Sequence, residues 1–150
     1  MKLTSPAFEQ EGNIPSKHTC DGKNISPPLA IFDVPAGAKS LVLIMDDPDV
    51  PKAVRADGMW DHWVVFNIPP EITEIAEGTE PEGTPGVGTG GNLAYYGPCP
   101  PDREHRYFFK LYALDKVLPL AERATKGQVE QSMKGSILAE AALMGRYERV

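Results

Sequence analysis

Prolines divide this chain into short segments and limit what it can fold into. The 150 residues include 15 prolines and 14 glycines. Because proline removes a backbone donor and disrupts both helix interiors and central strands, a coiled coil or a bundle of long helices is excluded. The prolines follow no repeat and lie between apolar runs, which excludes a collagen-like or low-complexity chain. The pattern therefore predicts one globular domain over residues 1–150, built from short elements.

Three apolar segments have the composition of strands. Residues 40–45 (SLVLIM) contain five consecutive apolar residues and end at an acidic turn, which is typical of a strand buried on both faces. Residues 62–68 (HWVVFNI) end at two prolines, and residues 106–114 (RYFFKLYAL) are rich in aromatic residues. These three segments are predicted to form the main sheet.

One helix is predicted over residues 126–144. Thr125 and Gln128 have the spacing of a capping box, and apolar residues then recur every four positions. Gly145 is placed as the stop of this helix, and residues 146–150 as a short final strand.

A long surface loop is predicted over residues 77–92, which are crowded with glycine and proline. Strands thus dominate the chain, and the helix comes late. This order favours a mainly β fold, an antiparallel sandwich that carries one helix on its outside.

The charge and hydropathy of the chain exclude some partners. The formal net charge is −6, so nucleic acid is not expected to bind. No apolar run approaches the roughly 20 residues needed to span a bilayer, and the N-terminus has no signal-peptide pattern. We therefore expect a cytoplasmic protein without membrane insertion. Two cysteines are too few for a disulfide framework.

Candidate polar residues collect at the ends of the predicted strands. His62 and His105 each begin a strand, and the acidic turn at residues 46–49 ends the preceding one. If these strands are neighbours, their ends form a rim that also holds Trp60, Tyr107 and the backbone of residues 97–99. Imidazole and backbone N–H groups donate to anions, and a carboxylate fixes the orientation of an imidazole. This combination predicts a small pocket for a phosphate-like or carboxylate-like group.

Two other chemistries remain open at this rim. Cys99 could act as a nucleophile with His105 as its base, which would make the chain a hydrolase. His62, His105 and Asp49 could instead supply two imidazoles and a carboxylate to a metal ion. Cys99 lies between Pro98 and Pro100 and so lacks the helix N-terminus that often lowers a thiol pKa. The metal set has no close-spaced ligand pair such as HxxxH or CxxC.

Several motifs resemble one known family. MDDPDVP at residues 45–51, WDHWVVFNIP at 60–69 and YYGPCPPDREHRYFFKLYALD at 95–115 are similar to the phosphatidylethanolamine-binding proteins, also called Raf kinase inhibitor-like proteins. The bacterial and archaeal branch is the most similar. The resemblance implies a Greek-key sandwich of two antiparallel sheets with a peripheral helix near the C-terminus.

The resemblance also implies a ligand site and a role. The residues at the matching positions are Asp47, Asp49, Trp60, His62, Gly97, Cys99, His105 and Tyr107. Such proteins bind small anionic or phosphate-bearing headgroups without a cofactor, and they regulate protein kinases or proteases rather than catalyse a reaction. A serine protease inhibitor is the alternative role, and the 77–92 loop is its exposed candidate segment.

Some positions depart from the family pattern or leave a question open. Asp102-Arg103-Glu104 replaces a small or glycine-rich segment, and Glu104 is expected to add negative charge beside His105. Ser136 stands where the branch often has histidine.

The resemblance bears on two further backbone features. It implies a cis peptide bond between Val50 and Pro51. Cys20 and Cys99 both lie in segments similar to this family, but the sequence leaves open whether they pair.

Overall fold

The computed structural model describes residues 1–149 and consists mainly of strands. In chain order the elements are β1 (Lys2–Thr4), a 3-10 turn (Ser16–His18), β2 (Leu29–Phe32), β3 (Ser40–Asp47), β4 (Trp60–Ile68), β5 (Glu74–Ile75), β6 (Thr84–Pro85), β7 (His105–Leu114), α1 (Lys126–Met133) and β8 (Ile137–Tyr147). None of the helical segments in this described range is long and apolar enough to cross a membrane.

Two antiparallel sheets form the sandwich that the sequence predicts. The larger has the strand order β6-β4-β3-β7-β8, and the smaller has the order β1-β2-β5. Strand β3 lies at the centre of the larger sheet and is buried along its whole length. Its residues Leu41, Leu43 and Met45 belong to the core between the sheets. Val42 and Ile44 face the opposite side, where α1 covers them. The prediction of a strand buried on both faces is therefore confirmed.

The predicted helix is correct at its start and wrong at its end. Thr125 and Gln128 form the capping box, since the Thr125 hydroxyl accepts from the Gln128 amide and the Gln128 side chain accepts from the Thr125 amide. However, α1 ends at Met133, and Gly135 follows with a φ of 80°. The predicted last strand begins much earlier than residue 146, and its final residue lies outside the described range.

The segment after the helix becomes β8 because it completes the sheet. Strand β8 pairs with β7 along nearly its full length, which covers an edge that would otherwise be unpaired. From Ala139 onward the apolar side chains alternate, so that Ala141 and Leu143 pack on the core between the sheets. Gly145 is thus a strand residue, and a Cβ there would lie 2.5 Å from the side chain of Ile14.

The glycine-rich loop is irregular, as predicted, but it is anchored. Trp63 donates its indole N–H to Glu80 at 2.8 Å. The Gly86 amide donates to the Val64 carbonyl, and β6 pairs with β4 just before it. Much of the segment remains exposed, yet these contacts fix it to the sheet.

The predicted cis bond between Val50 and Pro51 is wrong, since no cis peptide occurs among residues 1–149. The chain reverses instead over several successive turns after β3. The Pro51 carbonyl accepts from the Val54 amide, and the Arg55 carbonyl accepts from the Gly58 amide. Because the reversal is distributed over these turns, a sharp bend at one proline is not required.

Candidate functional site

A cavity of about 330 Å³ opens in the larger sheet where β3 ends and β4 and β7 begin. Strand β3 runs antiparallel to both β4 and β7, so its end meets the beginnings of both neighbours. The cavity is lined by Asp47, Val50, Val54, Trp60, His62, Tyr96, Cys99, Pro100, Pro101, His105 and Tyr107. Its volume and its mixture of apolar walls with few polar groups are typical of a site for a small ligand.

Six of the eight predicted site residues line this cavity, namely Asp47, Trp60, His62, Cys99, His105 and Tyr107. Asp47, His62 and His105 come from three different strands, and the structure brings them together as predicted. Asp49 and Gly97 do not line the cavity.

Asp49 points to an arginine rather than to the cavity. Its carboxylate accepts from the backbone amide of Arg106 at 2.8 Å and from the guanidinium at 2.8 and 2.9 Å. The hydrogen bond from Arg106 holds the pKa of Asp49 below its ordinary value. Asp49 therefore ties the loop after β3 to strand β7, and the prediction that it surrounds the cavity is wrong.

Gly97 has a packing role that the sequence did not reveal. Its amide donates to the side-chain oxygen of Asn24 at 2.7 Å, so it is not free to donate to a ligand. A Cβ at Gly97 would lie 2.1 Å from the carbonyl oxygen of His18. Only glycine permits this close approach, which joins the N-terminal turn to the rim of the cavity.

His105 lies between two carboxylates. Its Nδ1 is 2.7 Å from Asp47 Oδ2, and its Nε2 is 2.6 Å from Asp102 Oδ1. The ring is fully buried. Because ionised carboxylates only accept hydrogen bonds, the two contacts are satisfied together only when both ring nitrogens carry a proton. Its hydrogen bond also holds the pKa of Asp102 below the ordinary value.

The sequence does not reveal that Asp102 contacts His105, and the prediction that Glu104 is the acid beside His105 is wrong. Asp102 was visible only as a departure from a glycine-rich pattern, because a loop residue has no periodicity that identifies its partner. Glu104 was expected to act on His105, but its carboxylate lies 3.4 Å from Arg146. Asp102, rather than Glu104, is the additional acid that contacts His105.

His62 differs from His105 in its hydrogen bonds and in its protonation. Its Nδ1 lies 2.7 Å from the carbonyl oxygen of Tyr96, so Nδ1 must carry a proton and donate. Burial lowers the pKa of His62, which favours the neutral ring. Neutral His62 then has an unprotonated Nε2, which accepts hydrogen bonds. The sequence-based expectation that this imidazole donates to an anion is met only when the ring takes up a second proton.

Tyr107 contributes a hydroxyl without a partner. The hydroxyl oxygen is buried and makes no hydrogen bond to any of the described residues. Burial raises the pKa of Tyr107 most, followed by the charge of Asp47 and a contact with that carboxylate that falls short of hydrogen-bond geometry, so the phenol stays protonated. Since buried hydroxyls are normally hydrogen-bonded, this group is a candidate ligand contact.

Cys20 and Cys99 are joined by a disulfide, which answers the question that the sequence left open. Their Cα atoms are 5.5 Å apart, and the Cys20 amide also donates to the Pro98 carbonyl. Because the Cys99 sulfur is bonded, it supplies no thiolate, and the arrangement contradicts the hydrolase hypothesis based on this residue.

The proposed metal ligands are also occupied by other partners. Asp49 is bonded to Arg106, and both nitrogens of His105 are bonded to carboxylates. His62, His105 and Asp49 therefore do not form the shared ligand set that the metal hypothesis requires.

The structure defines a class of fold, an antiparallel sandwich with a cavity at its strand ends, and comparisons with known proteins specify the family. A family model described as phosphatidylethanolamine-binding protein matches residues 4–148. The chain belongs to this family.

Relatives and solved structures agree with this assignment over almost the whole chain. Proteins described as UPF0098 from Chlamydia pneumoniae and Methanothermobacter thermautotrophicus are each 52% identical, with 99% of both chains covered. A crystal structure described as a phosphatidylethanolamine-binding protein homologue from Chlamydia trachomatis is 51% identical, with a TM-score of 0.97 over 99% of this chain and 97% of that one. Escherichia coli YbcL, described as a member of the mammalian family, is 28% identical, with a TM-score of 0.88 over 99% of this chain and 98% of that one.

Proposed function

We propose that this protein is a non-enzymatic binding protein whose cavity accepts a small anionic group, such as the phosphate of a headgroup. The observation that supports this most directly is the buried hydroxyl of Tyr107, which has no hydrogen-bond partner within residues 1–149. An anion in the cavity would accept this hydrogen bond and satisfy the donor. A protonated His105 beside Asp47 offsets the negative charge of that carboxylate and so reduces its repulsion of a bound anion.

His62 makes anion binding depend on a proton. In the free protein the ring is neutral and offers an acceptor at Nε2. An anion next to Nε2 stabilises the protonated ring, which then donates from both nitrogens. Binding of a fully ionised carboxylate therefore takes up one proton at His62.

Calorimetric titration with inorganic phosphate, acetate and phosphoethanolamine tests the binding site. Tyr107→Phe removes only the hydroxyl and is expected to weaken phosphate binding about tenfold or more, since a hydrogen bond to a charged group contributes about 1.5–3 kcal/mol. Tyr112→Phe is the matched control, because Tyr112 lies on the same strand but packs on the side covered by α1. Equal affinities for the native protein and Tyr107→Phe would contradict this contact.

A regulatory role toward a protein kinase or a protease is a further part of the proposal, and it rests on family membership alone. Inhibition assays with purified serine proteases and kinases, with and without phosphate, test it.

The cytoplasmic location also stays a prediction. Because disulfides are uncommon in the reducing cytosol, alkylation of intact cells followed by mass measurement of Cys20 and Cys99 tests it.

A further inference from the structure

We propose that Asp102 is a positioning residue that keeps His105 protonated and thereby cancels the charge of Asp47 at the cavity wall. This inference rests on the proposed anion-binding function. His105 touches both carboxylates, but only Asp47 lines the cavity. Asp102 approaches from the other side of the Pro100–Pro101 wall, where its side chain is 40% exposed.

The two contacts have different chemical consequences. A neutral imidazole with a proton on Nδ1 already donates to Asp47, so Asp47 alone does not require a charged ring. A second carboxylate at Nε2 does require it, because that nitrogen must then donate as well. The proton on Nε2 is the one that Asp102 maintains.

The other charged groups around His105 are already paired with one another. Asp49 is bonded to Arg106, Glu104 lies near Arg146, and the second oxygen of Asp102 is 3.7 Å from Arg103. The remaining titratable neighbours are the stacked Tyr107 ring and Tyr147, which lies opposite His105 in β8. None of these groups places a second acceptor on the imidazole, so the protonation of His105 depends on Asp47 and Asp102.

Loss of Asp102 is therefore expected to weaken anion binding, although Asp102 is itself negatively charged. Removal of an acidic residue normally favours anion binding, because it reduces repulsion. Here, removal of Asp102 allows His105 to lose its proton, and Asp47 is left uncompensated beside the ligand. The net charge of the three groups is unchanged, but the negative charge moves to the cavity. An opposite charge within about 4–6 Å shifts the pKa of a neighbouring acid by about 1–3 units, so loss of the His105 charge beside Asp47 should reduce anion affinity at least about tenfold.

The test compares Asp102→Asn with Glu104→Gln. Each variant removes one negative charge from the same loop, but only Asp102 contacts His105. In calorimetry with inorganic phosphate at about pH 7.5, Asp102→Asn is expected to bind at least about tenfold more weakly, and Glu104→Gln to bind as well as the native protein or better. Equal or tighter binding by Asp102→Asn would overturn the inference.

A second measurement separates this inference from the proposed function. Nuclear magnetic resonance of ¹⁵N-labelled histidine reports the protonation of each ring nitrogen directly. At about pH 8, His105 should be doubly protonated in the native protein and singly protonated in Asp102→Asn and Asp102→Ala. A neutral His105 in the native protein would refute the role of Asp102. If His105 is charged but phosphate does not bind the native protein, the anion-binding function fails and the role of Asp102 in holding the proton is retained.

Discussion

Acetate affinity should decrease as the pH rises, because binding takes up a proton at His62. Acetate is the suitable probe, since its own charge is constant from about pH 6 to 8. Burial lowers the pKa of free His62 below the ordinary histidine value, and a bound carboxylate raises it. Affinity is then greatest below the pKa of the free form, and it is lost as the pH rises toward the pKa of the complex.

The magnitude follows from the number of protons. Between the two pKa values, uptake of one proton weakens binding by up to about tenfold per pH unit, so the dissociation constant should rise by up to about 30-fold from pH 6.5 to 8. The geometry limits the count to one, because Nδ1 already carries the proton that it donates to Tyr96. His105 is proposed to contribute none, because each of its nitrogens already faces a carboxylate.

Calorimetry in two buffers with different ionisation enthalpies measures the protons directly. The expected result is uptake approaching one proton per acetate near pH 7. His62→Gln should bind acetate weakly, with no dependence on pH and no proton uptake. An affinity for the native protein that is constant or rises with pH would refute proton-linked binding at His62, and so would proton uptake that persists in His62→Gln.

Three further predictions concern stability. Gly145→Ala should lower the free energy of unfolding by about 1–3 kcal/mol in urea titrations, because the new Cβ would overlap Ile14 and Phe8; an unchanged midpoint would contradict the packing. Reduction of the disulfide should lower the free energy of unfolding by about 4 kcal/mol, since the bond closes a loop with a sequence separation of 79. Unfolding curves with and without reductant measure this change, and a difference below about 1 kcal/mol would contradict the prediction. Asp46→Asn should destabilise the fold by about 3 kcal/mol, because the fully buried Asp46 carboxylate holds Lys110 and Lys126 between the sheet and α1. The exposed helix variant Gln131→Ala is the control, and equal thermal midpoints for the two variants would refute the stabilising role of these ion pairs.

The main strands could be predicted because each is a local pattern with a clear end. The apolar run in β3 stops at an acidic Pro-containing turn, and β4 stops at two prolines, so their existence does not depend on distant residues. Strand β8 could not be found in this way. The spacing of Val129 and Met133 continues by chance to Ile137, whereas the pairing of this segment with β7 is a long-range contact.

The same distinction applies to the site. Asp47, His62 and His105 were predictable because antiparallel strands bring their ends to one edge of a sheet. Asp49 is only two positions from Asp47, but its outcome depends on Arg106, with which no sequence pattern connects it. Asp102 was missed for the same reason, since its partner becomes visible only when the loop is folded onto His105.

An anion is proposed to bind in the cavity between β3, β4 and β7. A crystal structure of the protein soaked with phosphate at about pH 6 tests it most directly. Phosphate oxygens should lie within hydrogen-bond distance of the Tyr107 hydroxyl and of His62 Nε2, with the bonds from His105 to Asp47 and Asp102 intact. An empty cavity at saturating phosphate, or phosphate bound only elsewhere on the protein, would contradict it.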